Sequence, residues 1–140
     1  MTLWDVNLWV YAFRPDSPYH GLCRESLIQS FEAMEQFLFC PTVVSSFLRL
    51  VTNPRIFKQP SSISDAWAFI DWLEAHPASV FVEADALTFG IFKHLCLASG
   101  AAGIAIPGAY LAAIALRHDA SLKTLDSGMK RYKGVDVVLL

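Results

Sequence analysis

Residues 3–13, LWDVNLWVYAF, form an almost wholly apolar stretch that contains two polar side chains, Asp5 and Asn7. A short apolar run of this kind is typical of a central strand in a parallel sheet. An ionised carboxylate inside such a run is costly unless a cation or several donors meet it. We therefore predict that Asp5 lies at the carboxyl end of the strand, where open α/β sheets bind ligands, and that Asn7 starts the next helix. The alternative is that Asp5 only caps this helix.

Strand and helix patterns alternate along the rest of the chain. Short apolar runs predict strands at 37–40, 80–82, 121–124 and 135–140. Apolar spacing predicts helices at 19–34, 41–52, 64–76, 86–99 and 107–118, with Ser64 opening the third of them and Asp85 capping the fourth. The alternation predicts one α/β domain, residues 1–140, around a central parallel sheet of about five strands flanked by helices.

Composition restricts the class of protein. Hydrophobic residues make up 54% of the chain, but no apolar run reaches the ~18–20 residues of a membrane span, and no cleaved leader is predicted. The surplus apolar surface predicts a self-interface or a partner groove. Cys23, Cys40 and Cys96 lack metal-ligand spacing, which is typical of core cysteines in a reduced, cytoplasmic protein. A net charge of −2 argues against nucleic-acid binding through bulk charge, though not through a local basic patch.

Two predicted strands end in a similar way, at Leu3-Trp4-Asp5 and at Lys123-Thr124-Leu125-Asp126. Because parallel strands place their carboxyl ends on one edge of a sheet, we expect Asp5 and Asp126 to face each other there. Two close carboxylates repel unless a hard cation lies between them, and an oxygen donor set favours Mg²⁺ or Mn²⁺. The pattern alone also fits two unrelated aspartates at strand ends.

Four segments resemble PIN-domain proteins of the VapC toxin type. Residues 5–13 resemble the opening of that family, 47–57 (FLRLVTNPRIF) a segment of one VapC branch, 109–118 its penultimate helix and 124–126 its late strand-end motif. The resemblance implies a PIN-like fold and an Mg²⁺- or Mn²⁺-dependent endoribonuclease, whose ions activate a water and stabilise charge on the scissile phosphate. It also implies an RNA substrate, a homodimer and a VapB-like antitoxin.

The resemblance makes Asp5 and Asp126 the remaining catalytic and metal-binding carboxylates of a degenerate site. The family's glutamate before Phe-Leu-Arg falls on Ser46, and its aspartate before the penultimate helix falls on Gly108. Two further polar positions of the family fall on Gly103 and Gly128. Decay, repurposing and deliberate substitution of the site are the explanations that the sequence leaves open.

These losses predict a retained fold with weak or absent nuclease activity. Two carboxylates with water and substrate phosphate still suffice for one Mg²⁺, because this ion usually keeps several waters. A second hypothesis is a PIN-fold protein that no longer cleaves but is retained for dimerisation, antitoxin binding or RNA binding. A third is a plain α/β interaction domain whose aspartates are helix caps.

Several further residues are candidates around this site. Thr124 points the same way as Asp126 along its strand and is predicted to bond the carboxylate or a metal-bound water, unless it merely finishes the strand. The resemblance gives Asn7 a similar supporting role.

Three basic residues bracket the Thr-Asn-Pro segment and either contact RNA phosphates or form a solvated surface: Arg49, Arg55 and Lys58. We favour a solvated position for Arg49 and phosphate contact for Arg55. A basic cluster beside Asp126 is predicted to be a solvated face: Lys123, Lys130, Arg131 and Lys133.

Overall fold

The computed structural model describes residues 1–140 and contains a five-stranded sheet in the order β3-β2-β1-β4-β5, with every neighbouring pair parallel. The strands are β1 (Thr2–Trp4), β2 (Phe37–Phe39), β3 (Ser79–Phe81), β4 (Ser121–Thr124) and β5 (Val137–Leu139). The helices are α1 (Val6–Phe13), α2 (His20–Glu32), α3 (Pro41–Val51), α4 (Ile63–Glu74), α5 (Ala86–Ser99) and α6 (Ile106–Arg117). The predicted α/β fold around a parallel sheet is confirmed. None of these helices combines the length and the apolar character that a membrane span requires.

The central strand β1 pairs directly with β4, although more than a hundred residues separate them in the chain. Trp4 lies opposite Lys123, and the Asp5 N–H donates to the Lys123 carbonyl at 2.9 Å, one residue beyond the end of β1. The carboxyl ends of these two strands are therefore adjacent at one edge of the sheet.

Aromatic packing holds α1 and α3 against the sheet. Trp9 on α1 is fully buried, stacks on Phe39 of β2 with ring centroids 6.0 Å apart, and meets Phe47 of α3 edge-on at 6.5 Å. Phe13, at the end of α1, also meets Phe47 edge-on at 5.4 Å. Offset and edge-on pairs of this kind add roughly 0.5–1.5 kcal/mol each beyond their buried area. The two helices that follow β1 and β2 are thus fixed relative to the strand ends.

Local capping explains where the predicted boundaries were right and where they were wrong. The predicted cap at Asp85 is confirmed, because its carboxylate accepts the Thr88 N–H at 2.8 Å and the Thr88 hydroxyl in turn accepts the Asp85 N–H. The prediction that Ser64 opens the preceding helix was wrong, since the Ser62 hydroxyl accepts the Asp65 N–H and α4 begins at Ile63. A 3₁₀ helix over Ser127–Arg131 was not predicted.

Lys123 does not belong to the basic face predicted beside Asp126. Its ammonium lies 3.1 Å from a Glu35 carboxylate oxygen and 3.0 Å from the Ser30 hydroxyl, and it sits over the Trp4 ring. Burial raises the pKa of Glu35, but the hydrogen bonds from Ser30 and Lys123 outweigh it, so the net pKa lies below the ordinary value. This ion pair ties the start of β2 to β4 on the face of the sheet that carries Trp4.

The Glu35–Lys123 pair makes stability depend on pH in a defined direction. A carboxyl whose pKa falls on folding contributes stability above its unfolded pKa, near 4.5, and loses that contribution as the pH falls through the folded pKa. The Glu35→Gln variant should therefore unfold at a lower temperature than the parent chain at pH 7, and the difference should shrink below pH ~4. Thermal unfolding followed by circular dichroism measures this. Glu32→Gln, which removes an exposed carboxylate at the end of α2, is the matched control and should show no such pH-dependent difference.

Candidate functional site

A cavity of about 180 Å³ opens at the carboxyl edge of the sheet, where β1 and β4 end. Asp5 and Asp126, from opposite ends of the chain, both line it. Asn7 from α1, Ser46 from α3 and Gly108 from α6 complete its polar and open wall. The structure therefore brings the two predicted carboxylates into one cleft, together with the two positions at which the VapC pattern has acids and this chain does not.

Asp5 is held by a buried threonine at the start of α1. It occupies the position before α1, is 8% exposed, and has the Asn7 and Val6 amides beside its carboxylate. The hydroxyl of Thr124, which is fully buried at the end of β4, donates to Asp5 Oδ2 at 2.7 Å. The same hydroxyl accepts the Asp126 N–H at 3.0 Å. A short chain of hydrogen bonds thus links the two acidic positions, so Asp5 does more than cap α1.

Asp126 is exposed and does act as a cap, through one of its two oxygens. Its Oδ1 accepts the Gly128 N–H at 2.8 Å and so begins the 3₁₀ helix Ser127–Arg131, while Oδ2 has no hydrogen-bond partner in the chain. A β-carbon at position 128 would lie 2.9 Å from Asp126 Oδ1, closer than real contacts allow. A side chain at this position would therefore displace the Asp126 carboxylate from its present orientation.

The pKa of Asp5 is raised above its ordinary value. Burial is the main cause, and the Asp126 carboxylate acts in the same direction. The Thr124 hydrogen bond and the nearby amides of Asn7 and Val6 lower the pKa without reversing the effect. Ionised Asp5 is therefore only partly compensated within the protein, and a cation in the cleft would supply the remainder.

Two side chains that the sequence analysis missed occupy the space beside Gly108. A β-carbon at this position would lie 3.1 Å from Met129 Sδ and 3.3 Å from the Tyr132 hydroxyl oxygen. Tyr132 is buried, and its hydroxyl donates to the Ala105 carbonyl at 2.7 Å. Met129 belongs to the 3₁₀ helix Ser127–Arg131, and Tyr132 directly follows its last residue. This segment, unrecognised in the sequence, occupies the place where an acidic side chain at position 108 would begin.

The other predicted residues divide between the cleft and its surroundings. Asn7 is exposed and Ser46 is half-buried, and both line the cleft. Gly103 has a left-handed φ of 56° and does not line the cleft, but it begins a short 3₁₀ turn over Gly103–Ala105 whose middle residue, Ile104, does. The three basic residues proposed for RNA contact are exposed and do not line the cleft: Arg49, Arg55 and Lys58.

A buried arginine that the sequence analysis overlooked fixes the segment carrying Arg55 and Lys58. Arg14 donates to the Gln59 carbonyl and to the Ser61 hydroxyl, each at 2.9 Å, and its guanidinium lies 4.2 Å from the centre of the Phe57 ring. Because this segment is anchored to the end of α1, it is a structured surface.

The donor set of the cleft restricts what it can hold. No group of three or more His, Cys, Asp or Glu side chains suited to a metal ion comes together in the chain. The two carboxylates and the hydroxyl of Ser46 are hard oxygen donors, which suit Mg²⁺ or Mn²⁺ and not a softer ion. Since Mg²⁺ keeps several waters, these residues fit one hydrated ion but not a pair held by protein ligands.

Comparison with known proteins identifies the family. No family model matches the sequence. The chain is 36% identical over 135 residues to ribonuclease VapC25 of Mycobacterium tuberculosis, which covers 96% of this chain and 95% of that protein. It is 35% identical to ribonuclease VapC31 of the same organism with equal coverage. The fold matches a crystal structure of VapBC2 from Rickettsia felis bound to a promoter DNA fragment, with a TM-score of 0.73, 13% identity, and 99% and 97% of the two chains covered.

At 13% identity, the similarity to the VapBC2 structure shows only the fold. The sequence identity to the two ribonucleases, by contrast, extends over nearly the whole of each chain. The chain therefore belongs to the VapC ribonuclease family, the PIN-domain toxins of toxin–antitoxin systems.

Proposed function

We propose that residues 1–140 form a single PIN-like domain that acts in the cytoplasm as a weak endoribonuclease on RNA, with one Mg²⁺ or Mn²⁺ ion held by Asp5 and Asp126. The observation that carries this proposal is the shared cleft of about 180 Å³ that both carboxylates line. Family membership supports the reaction, because the relatives are named as ribonucleases.

One oxygen of each carboxylate in the pair is held by a hydrogen bond from a neighbouring group. Thr124 holds Asp5 Oδ2, and the Gly128 amide holds Asp126 Oδ1. Side chains fixed by neighbouring groups in this way lose little freedom when a ligand arrives. Asn7, exposed at the rim, is placed to hydrogen-bond a water or a phosphate oxygen in the cleft. When bound, a divalent ion lowers the pKa of a water and neutralises charge developing on the scissile phosphate.

The neutral residues at two acidic positions are the reason that we propose weak activity. Ser46 and Gly108 line the same cleft and leave the ion with two protein carboxylates. Fewer negative ligands lower the affinity for a divalent cation and leave less of the phosphate charge compensated. The protein then contributes mainly by positioning the RNA and the two remaining acids.

Ion binding at Asp5 is testable by thermal unfolding, without any activity measurement. Mn²⁺ should raise the unfolding temperature of the parent chain at pH 7, because a ligand bound only to the folded state stabilises it. Asp5→Asn should abolish this increase. Asp71→Asn, at an exposed carboxylate of α4, is the control and should keep it. Equal Mn²⁺ responses in the two variants would contradict the assignment of Asp5.

The raised pKa of Asp5 also predicts how the unfolding temperature changes when Asp5 is replaced in the absence of metal. An acid whose pKa rises on folding costs stability in its ionised form, and the cost appears as the pH rises above the unfolded value, near 3.8. Without metal at pH 7, Asp5→Asn should therefore unfold at or above the temperature of the parent chain, and any such advantage should vanish below pH ~4.

Restoring the acids tests the proposed cause of weak cleavage. Ser46→Glu alone, and the triple variant Ser46→Glu, Gly108→Asp, Met129→Ala, should each cleave RNA in Mn²⁺ at least about tenfold faster than the parent chain, equivalent to about 1.4 kcal/mol in the barrier. The methionine is shortened because its sulfur crowds the space that a side chain at position 108 would enter. Adding Asp126→Asn to the triple variant is the control and should remove the gain. If the parent chain cleaves as fast as the restored variants, the account of the acidic rim is wrong.

A second candidate function is binding of a VapB-like antitoxin without cleavage, and an apolar groove supports it. The groove has a volume of about 480 Å³, lies where α3, α4 and the edge of the sheet meet, and is lined by Val44, Leu48, Trp67 and Phe81. Trp67 is 45% exposed and Phe81 is 56% exposed, so two large rings are only half covered. Exposed aromatic groups flanking an apolar groove are typical of surfaces that bind a partner segment.

Antitoxin binding through this groove is testable in a co-expressed pair. Trp67→Ala combined with Phe81→Ala should reduce co-purification of the antitoxin encoded by a neighbouring reading frame, because hot-spot aromatic residues commonly contribute about 2 kcal/mol or more. Leu22→Ala, at an exposed side chain of α2 outside the groove, is the control and should leave the pair intact. Retention of the antitoxin by the double variant would place the interface elsewhere.

The proposal also includes a homodimer. α5 exposes three large apolar side chains, Leu87 at 64%, Phe89 at 66% and Leu97 at 75%. Covering these side chains removes apolar surface from water, and a second copy of the chain offers the same three side chains.

A further inference from the structure

A third cavity, of about 150 Å³, lies between α5 and the residues at and just after the end of the Ser127–Arg131 helix. His94, Leu95, Ala98 and Ser99 line it from α5, and Arg131, Tyr132 and Lys133 line it from the other side. Its volume is well above the ~15 Å³ that a single water molecule needs. The cavity is separate from the acidic cleft, and no residue lines both.

The charge of this cavity is of one sign. Arg131 and Lys133 are cations, the imidazole of His94 lines the same space, and no acidic residue does. None of the three takes part in a salt bridge, whereas Arg14, Arg117 and Lys123 elsewhere in the chain are each paired with a carboxylate. The guanidinium of Arg131 is oriented by donation from Nε to the Gly128 carbonyl at 2.9 Å. A chain with a net charge of −2 thus retains an unpaired basic pocket.

One buried ring separates this pocket from the acidic cleft. Tyr132 lines the basic pocket, and its hydroxyl oxygen lies 3.3 Å from where a β-carbon of Gly108 would stand, while Gly108 lines the cleft. Arg131 and Asp126 belong to the same turn, since Gly128 bonds to both of their side chains. A ligand that spans both sites therefore meets carboxylates at one and cations at the other.

We propose that this basic pocket binds a phosphodiester group of the RNA strand, at a phosphate other than the one that lies in the acidic cleft. The inference rests on the proposed function, because it takes RNA as the ligand. A phosphate oxygen accepts charge-assisted hydrogen bonds from guanidinium and ammonium groups, and such contacts fix the register of a strand without reading its bases. The pocket also refines the prediction of a solvated basic face, because Arg131 and Lys133 line it while Lys130 lies outside it.

Binding of a short single-stranded RNA in EDTA, with no metal and no cleavage, tests the pocket apart from the nuclease. The test variant is His94→Gln with Lys133→Gln, and the control is Lys93→Gln with Lys130→Gln. The control residues are immediate or close neighbours on the same segments, are exposed, and do not line the pocket. Because the control removes at least as much positive charge as the test pair, an effect of bulk charge would appear at least as strongly in it.

The expected result is a several-fold loss of RNA affinity in the test variant and a smaller loss in the control. The slope of log Kd against log salt should fall by roughly 0.7 in the test variant, the value for one phosphate contact to a single strand. Inorganic phosphate should shift the amide NMR signals of Ser99 and Tyr132 in the parent chain and not in the test variant. Thermal unfolding verifies that both variants are folded.

Failure of the pocket and failure of the nuclease give different results. Equal or larger loss of RNA affinity in the control overturns the pocket and leaves the proposed nuclease standing. A pocket-dependent RNA affinity without cleavage in Mn²⁺ by any variant, including the variants with restored acids, overturns the nuclease and leaves the pocket as an RNA phosphate site. If the parent chain binds no RNA in EDTA, the pocket proposal is overturned whatever inorganic phosphate does.

Discussion

The parallel pairing of β1 with β4 is the constraint on which the site depends. It places the end of the first strand beside the end of a strand more than a hundred residues later, and the hydrogen bond from Thr124 to Asp5 completes the junction at 2.7 Å. A hydrogen bond to a charged group contributes about 1.5–3 kcal/mol, and here both partners are buried. The contact that joins the ends of β1 and β4 therefore also orients the Asp5 side chain. The fold and the candidate site share this contact, so the strand pairing that maintains the fold also keeps Asp5 in position.

The rest of the cleft wall is not tied to this contact. Ser46 and Gly108 line the cleft without an acidic group, and Met129 and Tyr132 lie close to the second of these positions. The packed aromatic residues behind α1 and α3 are separate from the cleft lining, because they lie on the buried faces of the helices. The charge of the cleft is therefore set by the few side chains that line it, and the position of the cleft by the core.

The fold was predictable because its elements follow local rules. Apolar runs bounded by proline and a capping Asp85 mark strands and helices, and parallel strands have one carboxyl edge, so Asp5 and Asp126 were expected to meet. The 3₁₀ helix Ser127–Arg131 was not predictable, since it rests on the Asp126–Gly128 hydrogen bond and on the burial of Tyr132 under α6. Lys123 was misplaced for a similar reason. Its partner Glu35 lies 88 residues away, and no short-range pattern reports a pair at that separation.

The crowding beside Gly108 also affects how an acidic residue can be introduced at this position. An aspartate introduced at this position by one substitution meets a sulfur atom and a hydroxyl before it reaches the cleft. An aspartate at position 108 therefore requires Met129 and Tyr132 to yield by a few tenths of an ångström. Met129 has the more flexible side chain, so shortening position 129 first opens space before any charge arrives.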